Sequence, residues 1–220
     1  MALAAYAITI TQMCNWGLTA MGSRNRIADI DTTEDTEEWR LCDLFFWQAT
    51  MEAMAAGEWG FATDRLGITQ DGTDPTIGSY DHRFAVPTDS LRILFQIDKD
   101  NDDVHYNYKR EGDWLLSSIT DEDDKAYFRY IKEIIDVSKF SPLFVKAAYT
   151  NLAILLRDSL IGADEWYLRL VDQYKDILKS AIDQSEMEDY ATEGNNDVLE
   201  AADGGIGCRK CGQPWGYCRC

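Results

Sequence analysis

Four of the six cysteines in this 220-residue chain fall within its last 13 residues, as Cys208, Cys211, Cys218 and Cys220. A Cys-x-x-Cys turn lets two thiolates meet one tetrahedral zinc ion, and Cys208-Arg209-Lys210-Cys211 has that spacing. The second pair, Cys218-Arg219-Cys220, is one residue tighter, and two local disulfides or a reduced tail without metal are the alternatives to a Zn2+ site. Zinc held by four thiolates carries a net charge of about −2, which Arg209, Lys210 and Arg219 would offset. Four sulfur ligands leave no open position for a substrate, so the expected zinc is structural.

The rest of the chain lacks the parts that catalysis needs. Its two histidines, His82 and His105, stand outside any His-Glu-x-x-His pattern, and neither a Gly-x-Ser-x-Gly elbow nor a phosphate-cradling glycine loop occurs. The expectation is therefore a protein that is not an enzyme. Asp98-Lys99-Asp100-Asn101-Asp102 opens like a calcium loop, but Asp103 stands where glycine is needed and Lys109 where a closing glutamate belongs. That run and Asp121-Glu122-Asp123-Asp124 read as solvated acidic turns at one end of a sheet. Trp59 and Phe61 could form a ligand platform, although aromatics just past a helix end more commonly plug a core.

Charge narrows the partners. The chain has 39 Asp and Glu against 21 Lys and Arg, a formal charge of −18, which opposes any grip on nucleic acid through its phosphates. No apolar run approaches a membrane span. The start, Ala2-Leu3-Ala4-Ala5-Tyr6-Ala7-Ile8, imitates a secretory signal but lacks a positive n-region, so it reads as mature protein. Cys14 and Cys42 sit alone in helical patterns, and the overall cysteine distribution suits a reducing compartment.

These residues must be positioned by an α+β fold. Cys14, Leu18 and Met21 share a helix face that stops at Gly22. Trp39, Cys42, Phe46, Ala49, Ala53 and Ala56 mark a central helix ending at Gly57. A turn-rich stretch through Gly67, Gly72, Pro75 and Gly78 leads to strands: Leu91, Ile93, Phe95 and Ile97 alternate on one face, Tyr106 and Tyr108 follow, and Glu111-Gly112 turns into Trp114-Leu115-Leu116. A short strand is expected around Tyr127 to Ile131. Ser141 and Pro142 then form a cap and first-turn proline for a helix running to Gly162, and Tyr167, Leu170, Tyr174, Ile177 and Ala181 pattern another from Asp164. Residues 186–203 hold seven acids and no Lys or Arg, a solvated linker.

The reading is an antiparallel helical bundle with an inserted small antiparallel β domain and a short cysteine-rich C-terminal tail. Its parts are 1–62 and 136–190 for the bundle, 63–135 for the β-rich insert, 191–207 for the acidic linker and 208–220 for the zinc-binding tail.

Several elements in order resemble one family: Cys14-Asn15-Trp16-Gly17-Leu18, Asp29-Ile30, the aromatic helix Trp39 to Ala56, Trp59-Gly60-Phe61-Ala62, Val86-Pro87-Thr88-Asp89 before Leu91-Arg92, and Phe140-Ser141-Pro142-Leu143-Phe144. Over residues 8–190 the chain is similar to tail tubular protein A, the head-to-tail adaptors (connectors) of tailed bacteriophages. The resemblance implies a virion component of the neck, assembled in the host cytoplasm. It would form a homo-oligomeric ring of about twelve copies, bound to the portal protein above and the tail nozzle protein below, with double-stranded DNA passing through unbound during ejection. The cysteine tail is outside the family pattern. A ring of about twelve such chains would carry on the order of −216 charges, and acids lining its channel, with the turns at 98–103 and 121–124 as candidates, would keep DNA from adhering. The alternative function is an acidic zinc-tailed regulatory binding protein that mimics the charge of DNA.

Overall fold

The computed structural model describes residues 8–72, 80–100, 104–121, 124–181 and 183–184. The chain divides into two compact units, Met1–Ala181 and Ile182–Cys220, and the helices and strands that follow belong to the first.

The fold is α+β. Helix α1 (Ile10–Ala20) begins with a reciprocal capping box: the Thr9 hydroxyl accepts from the Gln12 amide, and the Gln12 side chain accepts from the Thr9 amide at 3.0 Å. It buries Cys14 and Leu18 of the expected face, with Met21 buried at its C-cap, and Met13 besides; the chain leaves it through Gly22 at φ +95°, a left-handed turn suited to glycine. Helix α2 (Glu37–Ala56) is capped by Thr36 and has Glu37 and Glu38 in its first turn, where carboxylates oppose the positive end of the helix dipole. Its buried residues are Cys42, Phe46, Ala49, Thr50, Ala53 and Met54. Helix α3 (Pro142–Leu160) starts as its sequence dictates, with the Ser141 hydroxyl accepting from the Phe144 amide and proline in the first turn. A further helix, α4 (165–181), opens where the Asp164 carboxylate accepts from the Tyr167 amide at 2.9 Å.

Between α2 and α3 lie all the described strands. Strands β1 (Thr63–Thr69), β3 (Ser90–Ile97), β4 (His105–Tyr106) and β7 (Lys125–Lys132) form an antiparallel sheet in the order β1-β7-β3-β4. Strands β2 (His82–Ala85), β5 (Tyr108–Glu111) and β6 (Trp114–Ser117) form a second, in the order β2-β6-β5. The β5–β6 hairpin turns through Gly112 at φ +59°, where the sequence placed it.

The larger sheet has two buried faces. On one, Leu91, Leu94 and Ile131 join the core that the helices share, with Cys14, Leu18, Phe46, Ala53, Phe144 and Leu152 among its members. On the other, Ile93, Ala126, Phe128 and Tyr130 pack against Phe84 and Leu115 of the smaller sheet. β7 lies between two neighbours and is buried at alternate positions. It is therefore a central strand, where the sequence suggested only a short late one.

Leu91, Ile93, Phe95 and Ile97 do not share one face, because register shifts between Ser90 and Arg92 and between Ile93 and Phe95 break the alternation of β3. The turn-rich stretch after Ala62 contains β1, whose mixed, half-exposed residues carry no period-two signal.

Candidate functional site

Where sequence reading located chemistry, the described structure shows chiefly packing. Trp59 is buried, donates its indole N–H to the Ala53 carbonyl at 2.9 Å and meets Phe144 edge-on at 5.0 Å. Phe61 contacts Phe140 and Phe144, so this aromatic group plugs the junction between helices and sheet. His82 Nδ1 lies 2.8 Å from the Gln70 amide oxygen, and His105 stacks on Phe95 with centroids 4.2 Å apart. Each histidine has a structural partner, on separate sheets.

Cys14 and Cys42, each alone in its helical pattern, are brought together by the fold. Both are free and buried, and their thiols hydrogen-bond to each other; that contact, together with burial, pushes the Cys14 thiol well above its ordinary range. A buried neutral thiol at a helix contact acts as a small apolar residue.

The acidic turns lie at one end of the larger sheet, as far as they are described. Asp98 accepts from the Asp100 amide at 2.9 Å and from the Tyr106 hydroxyl at 2.8 Å. That hydroxyl contact raises the Tyr106 pKa. Asp121 accepts from the Lys125 amide and the Tyr127 hydroxyl, at 2.8 and 3.0 Å. The calcium-like loop follows β3 and precedes β4, so strands rather than helices flank it; residues 101–103 and 122–123 lie outside the described set. Cys208, Cys211, Cys218 and Cys220 also lie outside it, as does the acidic linker. Among the described residues no three His, Cys, Asp or Glu side chains gather as a metal site, and no helix is long and apolar enough to cross a membrane.

Surfaces, rather than clefts, are the features sequence reading did not resolve. On the outer side of α2, Leu44 is 65% exposed and Trp47 is 36% exposed, one helical turn apart. Between α1 and α3 runs an open groove of about 560 Å³ lined by Ile8, Trp16, Ala20, Pro142, Val145 and Tyr149. The signal for the first was in the sequence: α2 carries apolar residues on more of its circumference than one neighbour can cover.

At the opposite pole of the chemistry, ion pairs hold the elements. Lys132 of β7 lies 3.3 Å from both Asp64 of β1 and Asp89 before β3, and those carboxylates raise its pKa. Arg157 of α3 pairs with Asp164 and donates to the Met21 carbonyl at 2.5 Å, joining the ends of α1, α3 and α4.

Comparison with known proteins provides no family assignment: no protein-family model matches this chain, and no curated protein is significantly similar to it.

Proposed function

We propose that this chain is a structural head-to-tail adaptor subunit. Its helices form an antiparallel bundle, and copies assemble as a ring of about twelve between a phage portal and the tail nozzle. The observation that carries the reading is the exposed pair Leu44 and Trp47 on α2, together with Leu168 and Trp166 on α4: large apolar side chains on helix surfaces are what a subunit requires if a neighbouring copy is to cover them.

Two further points support it. Three of the segments that resemble the adaptor family stand at element boundaries: Trp59 and Phe61 just after α2, Val86 and Pro87 just before β3, and Phe140 to Pro142 at the start of α3. The charge of −18 per chain suits the wall of a channel through which DNA must pass without sticking. In this reading the four terminal cysteines hold a structural Zn2+ that anchors the tail arm to a neighbour or to the portal, and the β-rich part offers the lower docking face.

The test is to mix the purified chain with the portal ring encoded in the same genome and examine it by electron microscopy and native mass spectrometry. The expected result is a portal bearing an added ring. A chain that stays monomeric, ignores the portal and binds basic proteins in a salt-sensitive way would replace this reading with the acidic binding module.

A further inference from the structure

The end of the larger sheet borders a small, half-open cavity of about 90 Å³, lined by Gln96, Asp98, Thr120, Asp121, Lys125 and Tyr127. Its construction follows from strand geometry. Gln96 and Asp98 are two residues apart at the end of β3 and so project to one side, and Tyr106 lies across from Gln96 on β4. The segment through Ile119 and Asp121 covers that side, tied down by Gln96 Nε2 donating to the Ile119 carbonyl at 2.9 Å.

This hydrogen bond determines which way the Gln96 amide points. Reversing the amide would set two oxygens against each other, so Nε2 faces Ile119 and Oε1 faces away from it. Gln96 is only 1% exposed, and its Oε1 has no hydrogen-bond partner among the described residues. A buried amide oxygen left unsatisfied is costly, and native proteins ordinarily give such an atom a partner. Here it accompanies two carboxylates that border the same cavity.

An orphan amide oxygen and two carboxylates are hard donors, the kind that calcium prefers. We propose that this cavity binds one calcium-class divalent cation, with Gln96 Oε1 and the carboxylates of Asp98 and Asp121 as protein ligands and water completing the shell. The cavity has room for an ion and one or two waters, since a water occupies about 30 Å³ in the liquid. Calcium is favoured over magnesium because the three donors come from separate segments and need not form an ideal octahedron. Lys99 and Lys125 also border the cavity and compete for the carboxylates. Binding is therefore weak, with a Kd of about 10⁻⁴ to 10⁻³ M, the range of extracellular calcium modules.

The site stands independently of the adaptor reading. The full-length chain, freed of metal with EDTA, is titrated with CaCl2 and with MgCl2 while the melting temperature and the NMR signal of the Gln96 side-chain amide are followed. The expected result is a saturable shift of that amide and a rise in Tm of roughly 3 °C at ten times the Kd, with MgCl2 at least ~5-fold weaker. Asp98→Asn and Asp121→Asn should each weaken binding ~10-fold or more, whereas Asp43→Asn, an exposed acid on α2, should leave it unchanged. An unmoved Gln96 amide in the wild-type chain at 10 mM CaCl2, about ten times the weaker Kd, overturns the proposal even if a variant fails to fold. A Tm rise that is the same in all three variants overturns it too, since that is diffuse screening of an acidic protein.

Discussion

Arg157 and Asp164 face each other across the turn between α3 and α4, with Arg157 Nε donating to one carboxylate oxygen at 2.8 Å and Nη2 donating to the other. The same carboxylate caps α4 through the Tyr167 amide. The Arg157 hydrogen bonds are the largest cause of an Asp164 pKa held well below the carboxylate range, followed by the amide of Tyr167. Its contribution to stability is then fully present above about pH 4, the unfolded value, and is lost as pH falls toward the depressed folded value. Asp164→Asn should lower Tm by a few degrees at pH 7 and flatten its decline between about pH 4 and pH 2, as thermal melts at each pH would show. Parallel pH profiles for the two proteins would contradict this.

Gly57 ends α2 at φ −110°, a conformation open to any residue, so its reason for being glycine is space. A Cβ there would lie 2.6 Å from the Trp59 ring, which its hydrogen bond to Ala53 and its contact with Phe144 hold in place. Gly57→Ala should destabilise by about 1–3 kcal/mol, measured as a lower urea midpoint with unchanged slope.

Phe144 is fully buried at the meeting point of Trp59, Phe61 and Phe140. Phe144→Ala removes the shared partner of these rings and should cost about 3–5 kcal/mol. Denaturant unfolding that shows a loss under ~1 kcal/mol would mean that the cluster collapses into the gap.

On the assembly face, the double substitution Leu44→Ser and Trp47→Ser should leave the melting temperature within about 2 °C and abolish formation of the added ring on the portal. Sedimentation together with cryo-electron microscopy of the mixture reads both. A variant that still forms rings would move the interface elsewhere, with the groove between α1 and α3 next in line.

The terminal cysteines should hold about one zinc per chain. Cys208→Ser with Cys211→Ser should remove that metal, read by elemental analysis, while far-ultraviolet circular dichroism of the chain stays the same. Equal zinc in the double variant would exclude the tail as its site.

By itself the sequence was enough to determine the helices, because their signals are local: Gly22 stops α1, Ser141 and Pro142 start α3, and apolar residues three and four apart select each buried face. The Gly112 hairpin and the aromatic plug of Trp59 and Phe61 were legible for the same reason. What only the tertiary structure decided are relations between distant segments. The sequence could not show that Cys14 and Cys42 touch, that β7 is central in one of two sheets, or that bulges divide β3 between two cores. It could not show that Gln96 is buried with an unsatisfied oxygen beside Asp98 and Asp121. Strand pairing and cavity formation depend on which segments meet across the fold, and a one-residue change of register reverses the face each side chain takes, so no local pattern encodes them.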